Sequence, residues 1–119
     1  MKLAIIGSRT ISEINLSEYL PCGVTEIVSG GAIGLDRVAA EYARNNGIAL
    51  VEFLPEYSRY KRGAPHVRNR QIAEYSDEVL AFWDSKSKGT MRTVRLFKDL
   101  GKKTTVITIR QKNSSAPTS

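Results

Sequence analysis

The sequence predicts an α/β fold: a three-layer sandwich in which helices cover both faces of a five-stranded, mainly parallel sheet. Three observations predict it. Five short apolar or β-branched runs recur along the 119 residues. Stretches between them place their apolar residues at helical spacing. The first run, Leu3-Ala4-Ile5-Ile6, is continuously apolar, as expected of a strand buried on both faces. Strands that alternate with helices build a parallel sheet between two helical layers.

The elements follow in order. The first strand stops at Gly7-Ser8, and residues 12–20 are expected to hold a short helix with Ser12 as its N-cap. Glu26 to Ser29 is the second strand. From Leu35 to Asn46 the positions Leu35, Val38, Ala39, Tyr42 and Ala43 trace the stripe of a helix packed on a sheet, and Gly47 suits the position just past its end. Ala49 to Leu54 is the third strand, closed by Pro55. Residues 56–64 read as a polar, aromatic and basic loop. Pro65 opens a helix to about Tyr75. Glu78 to Trp83 is the fourth strand, and Asp84 to Gly89 a second loop of small residues. Met91, Val94, Phe97 and Leu100 stripe a further helix, and Thr104 to Ile109 is the fifth strand. One domain over residues 1–110 is expected, followed by a flexible polar tail over 111–119.

Composition narrows the function. Hydrophobic residues make up 41% and charged residues 25%, within globular usage. The single cysteine, Cys22, excludes an internal disulfide framework and an all-cysteine metal site, and the single histidine, His66, excludes an all-histidine one. The opening apolar run ends too early for a signal core, and no run is long enough to span a membrane. A soluble, cytoplasmic protein without a cofactor is expected. The formal net charge of +6 favours anionic partners.

The segment "VSGGAIGLDRVAA" leaves a strand, carries three glycines and enters a helix. A helix N-terminus presents unpaired N–H groups and the positive end of its dipole, and glycines let an anion approach them. Gly30, Gly31 and Gly34, with Ser29 and Ala32, are therefore candidate ligand-binding residues; a tight turn that needs small residues for packing is the alternative. The pattern is neither a P-loop nor the dinucleotide fingerprint. Asp36, in the first helical turn, suits a ribose hydroxyl or the helix dipole. Gly7-Ser8-Arg9 leaves the first strand's carboxyl end. Arg68 suits a phosphate, and Asn69 a base, a sugar or the glycine loop. Ser87, Gly89 and Thr90 form a second phosphate-binding candidate or an N-capped turn. Asp84 suits ribose, base or a cap. Tyr57 to Arg62 interleaves rings and cations, which could stack on bases and grip phosphates. In such folds ligands sit at the carboxyl ends of the strands, so one shared rim site is expected.

Gly7-Ser8-Arg9, Ser29 to Asp36, and Arg68-Asn69-Arg70 through Ser87-Lys88-Gly89-Thr90 together resemble the SLOG superfamily of Rossmann-like proteins, over Lys2 to about Ile109. That superfamily includes the "Lonely guy" phosphoribohydrolases and the DNA-processing protein A family, whose Rossmann-like domain binds single-stranded DNA. The resemblance implies a nucleotide or nucleotide-sugar pocket at the strand ends and self-association. In the phosphoribohydrolases two glycine loops hold the phosphoribosyl group, and an Arg and a Glu support cleavage of the N-glycosidic bond. Arg68 resembles that Arg. The Glu has no counterpart: Gly89-Thr90 is followed by Met91-Arg92-Thr93, with no acid before Asp99. Binding of a small nucleotide or nucleotide-sugar, as a sensor or a ligand-processing unit, is the leading expectation. An N-glycosidic hydrolase or transferase, with no catalytic residue assigned, is the alternative. Single-stranded DNA binding is the second.

Overall fold

The computed structural model describes residues 1–109 apart from Arg9, Ser12, Ala32 and Ile33. Five strands form one sheet: β1 (Lys2–Gly7), β2 (Glu26–Ser29), β3 (Ala49–Glu52), β4 (Glu78–Trp83) and β5 (Lys103–Thr108). Their order is β3-β2-β1-β4-β5, and every neighbouring pair is parallel. Central β1 sets Ala4 opposite Val28 on one side and Val79 on the other. The helices are α1 (Leu35–Asn45), α2 (Tyr57–Tyr60), α3 (Ala64–Tyr75) and α4 (Lys88–Asp99). The expected architecture is present, with a sheet that is parallel throughout.

The period of two along each strand divides the core in two. Leu3, Ile5, Ile27, Leu80 and Phe82 face α1, where Leu35, Ala39 and Ala43 meet them. Ala4, Val28 and Val79 face the other way, against Ile72 and Ala73 of α3 and Phe97 of α4. Full burial of side chains such as Phe82, Phe97 and Leu3 stabilises the fold by about 1.5–3 kcal/mol each.

Three expectations are corrected. The helix over 12–20 is only a 3₁₀ turn, Leu16–Glu18. Here Ser17 donates to Asn15 Oδ1 and Asn15 Nδ2 to Glu18, local bonds that compete with helix formation; the N-cap assigned to Ser12 lies outside the described residues. The loop over 56–64 contains α2 and a 3₁₀ turn, Lys61–Gly63, because the Glu56 carbonyl accepts from the Arg59 and Tyr60 amides. The third strand ends at Glu52 rather than Leu54: Phe53 makes the last ladder bond, to the Ser29 carbonyl, and Pro55 has no amide to continue it. The tail beyond residue 110 lies outside the described residues. Among those described, no helix is long and apolar enough to cross a membrane.

The C-terminus of α3 is held by a cation from a distant part of the chain. Lys102 Nζ donates to the carbonyls of Ala73, Glu74 and Ser76 at 2.8, 3.0 and 2.6 Å. These are carbonyls the helix leaves without amide partners, at the negative end of its dipole. Lys102→Met is expected to lower unfolding free energy by about 1–3 kcal/mol in urea titrations; an unchanged midpoint would show that water satisfies these carbonyls equally well. Nearby, the Ser76 hydroxyl is buried with no hydrogen-bond partner. Removing an unpaired buried hydroxyl relieves its desolvation, so Ser76→Ala is expected to be neutral or stabilising in the same titration.

Candidate functional site

The chain runs outward from β1 through β2 to β3, then returns to lay β4 on the other side of β1. The connections leaving β1 and β4 therefore diverge, and a crevice opens at their carboxyl ends. Its base is tied by hydrogen bonds. The Ser8 amide donates to the Phe82 carbonyl at 3.1 Å, and the Asp84 amide to Ser8 Oγ at 3.2 Å. Thr10 Oγ1 donates to Asp84 Oδ2 at 3.2 Å. The other carboxylate oxygen of Asp84 accepts from the amides of Lys86 and Ser87 at 2.9 and 2.8 Å. Asp84 thus shapes the loop that leads into α4.

Beside these two connections lies a cleft of about 310 Å³. From α3 come Pro65, His66, Arg68, Asn69 and Ile72; from the start of α4, Ser87, Gly89, Thr90 and Thr93. Ile6, Gly7, Gly30 and Asp36 line the side nearest the sheet and α1. Of the residues singled out in the sequence, Gly7, Gly30, Asp36, Arg68, Asn69, Ser87, Gly89 and Thr90 are brought together. Ser8, Ser29, Gly31, Gly34 and Asp84 do not line the cleft; Arg9 and Ala32 lie outside the described residues. Ser8 and Ser29 are buried, with Ser29 Oγ accepting from the Gly31 amide at 3.4 Å. Pro65, Ile72, His66, Ile6 and Thr93 were not anticipated. Helical periodicity contains the signal for some of them: Pro65 and Ile72 lie one turn on either side of Arg68 and Asn69, and Thr93 one turn beyond Thr90.

The glycines of the β2–α1 loop admit side chains of the protein itself. A Cβ at Gly30 would sit 2.5 Å from Arg68 Nη1. Gly31 has φ +71°, and a Cβ there would sit 2.1 Å from Leu54 Cδ2. Arg68 uses the space, donating from Nη1 to the Gly30 carbonyl at 2.9 Å and from Nε to Asn69 Oδ1 at 2.8 Å. A guanidinium has five N–H groups, so three remain for an anion in the cleft.

The N-terminus of α4 differs. Ser87 caps it, its Oγ accepting from the Thr90 amide at 3.3 Å, and Trp83 Nε1 donates to the Ser87 carbonyl at 2.9 Å. The amides of Lys88 and Gly89 have no acceptor among the described residues. A Cβ at Gly89 would meet nothing within 4 Å. No contact within the protein requires a glycine there, and its open side lines the cleft. Among the described residues, no group of three or more His, Cys, Asp or Glu is placed to hold a metal ion.

A model of the YspA, cpYpsA-related SLOG family matches residues 1–60. The chain belongs to this family. The SLOG match spans β1 through α2, including the glycine loop and α1, and it points to a nucleotide-related, Rossmann-like function. No curated protein and no solved structure matches the chain. Arg68 and the α4 N-terminus lie beyond the span matched by the SLOG model.

The hydrogen bonds to Asp84 make the stability of the loop leading into α4 depend on pH. The Lys86 amide, partly opposed by burial and aided by the Ser87 amide and the Ser8 and Thr10 hydroxyls, holds the Asp84 carboxyl below the usual carboxylate range. A carboxylate with a depressed pKa stabilises the fold above its unfolded pKa and loses that contribution as pH falls through its folded value. Asp84→Asn is expected to unfold at lower urea than the parent at pH 7, and the difference to close as pH falls below about 4. A difference that persisted at pH 2 would assign the loss to geometry rather than charge.

Proposed function

We propose that the chain binds a nucleotide or nucleotide-derived small molecule in this cleft, with a phosphate on the N-terminus of α4 and Arg68 reaching it from α3. One observation carries this: unpaired amides, a glycine with free space beside it, and a guanidinium with spare N–H groups all border one cleft. Each favours an anion, through hydrogen bonding, close approach and charge respectively. Asp36 is suited to orienting a ribose, and His66 or Asn69 to the polar edge of a base.

Binding is favoured over cleavage of an N-glycosidic bond. Glycosidic hydrolysis ordinarily uses two carboxyl groups flanking the bond, and Asp36 is the single carboxylate among the described residues lining the cleft. The chain then acts as a cytoplasmic sensor or carrier of its ligand, with any chemistry supplied elsewhere.

Gly89→Val separates ligand binding from folding, because its side chain enters open space. Calorimetry is expected to show AMP bound by the parent and weakened by about tenfold or more in Gly89→Val, with an unchanged urea midpoint. Equal AMP affinity in both proteins would remove the phosphate from the α4 N-terminus. Release of free adenine during the titration would establish the hydrolytic alternative.

A further inference from the structure

We propose that the ligand is a dinucleotide whose second unit lies in the groove between α3 and α4; this rests on the nucleotide reading of the cleft. The open groove offers about 440 Å³ and continues directly from the cleft, since His66, Asn69 and Thr93 line both. Each space falls in the range of small-ligand sites, so together they suit two nucleotide units rather than one.

The groove combines two chemistries. Val67 and Leu96 supply an apolar floor, and Arg70, Arg92 and Arg95 bring three guanidinium groups to it. All three arginines are exposed, and no hydrogen bond or ion pair engages them among the described residues. Like charges gathered at one groove repel, and an incoming phosphate relieves that repulsion. Guanidinium also binds phosphate in a bidentate manner and stacks on aromatic rings, which suits a base on the floor and a phosphate at the rim.

Among the three long helices, the excess charge lies on α3 and α4. On α1, Asp36 and Glu41 balance Arg37 and Arg44. On α3 and α4, Arg68, Arg70, Lys88, Arg92, Arg95 and Lys98 face only Glu74 and Asp99, an excess of four out of the chain's +6. Asp99 also lines the groove, one turn beyond Arg95 and away from the cleft. A carboxylate there opposes a further phosphate, which favours a dinucleotide over a continuous polyanionic strand.

The test titrates AMP, the 5′-phosphorylated dinucleotide pApA and a longer oligoadenylate into the parent, Arg92→Gln/Arg95→Gln, and a control, Arg37→Gln/Arg44→Gln, that removes equal charge from α1. In the parent, pApA is expected to bind at least about tenfold more tightly than AMP. That advantage disappears in the α4 variant, whose AMP affinity is unchanged, and persists in the control; the longer oligoadenylate gains nothing over pApA. Equal affinity for AMP and pApA in the parent overturns the groove proposal while leaving the cleft intact. So does an advantage that survives the α4 substitutions or is lost equally in the control. Progressive tightening with oligomer length overturns it in favour of a nucleic-acid strand. Absence of AMP binding is the distinct failure of the cleft itself, and the dinucleotide falls with it.

Discussion

The reversal of strand order at β1 is the constraint on which the rest depends. Pairing β1 with β2 on one side and β4 on the other puts the central strand where the chain changes direction. Ala4 is fully buried there, and alternation along β1 sends neighbouring side chains to different helical layers. A parallel sheet buried on both faces has little surface on which to display chemistry, so its carboxyl edge becomes the available place. Divergence of the β1 and β4 connections leaves a gap at that edge. The hydrogen bonds joining Ser8, Thr10 and Asp84 stop the gap from extending down between the strands. Fold and cleft are thus consequences of the same topology.

Glycine in this chain serves two different purposes, distinguishable by what a Cβ would meet. At Gly30 and Gly31 it would meet Arg68 and Leu54. Those glycines let α3 and the β3–α2 connection close over the loop, and in doing so they position the guanidinium that borders the cleft. At Gly89 it would meet nothing. A residue that costs a helix stability without relieving any internal contact is explained better by something outside the chain. The glycine-rich segment that stands out in the sequence thus makes room for the protein's own side chains, whereas the space beside Gly89 in the quieter Ser-Lys-Gly-Thr segment is open.

Much of the fold was legible in the sequence because its signals are local and periodic. The apolar and β-branched runs located all five strands, and the stripe from Leu35 to Ala43 located α1 to within a residue of its end. The failures have a common physical origin. The 12–20 segment has helix-compatible residues but satisfies itself through short side-chain bonds, which propensity does not weigh. Lys102 carries no local signal in the sequence, since nothing near it reveals that it reaches carbonyls 26 to 29 positions earlier. Arg68, Asn69, Gly89 and Thr90 stood out by residue type, whereas Ile6 lines the cleft only because sheet and helix pack together there. Asp84 stood out equally, and its carboxylate turned out to organise a loop.

The extent of the family match adds a last step. The SLOG model spans the half of the chain that contains β1, β2, α1 and the glycine loop. That half sets the centre of the sheet and one wall of the cleft. The opposite wall, formed by α3 and the start of α4, lies beyond it. It supplies Arg68 and the capped helix N-terminus, and α3 and α4 together carry an excess of four positive charges, while α1 is neutral in balance. Under the proposed nucleotide reading, walls of such different charge would orient the ligand, with its phosphates toward α3 and α4 and its uncharged parts toward the sheet and α1. In that reading ligand choice would depend chiefly on α3 and α4, whose exposed residues lie outside the β1-centred core.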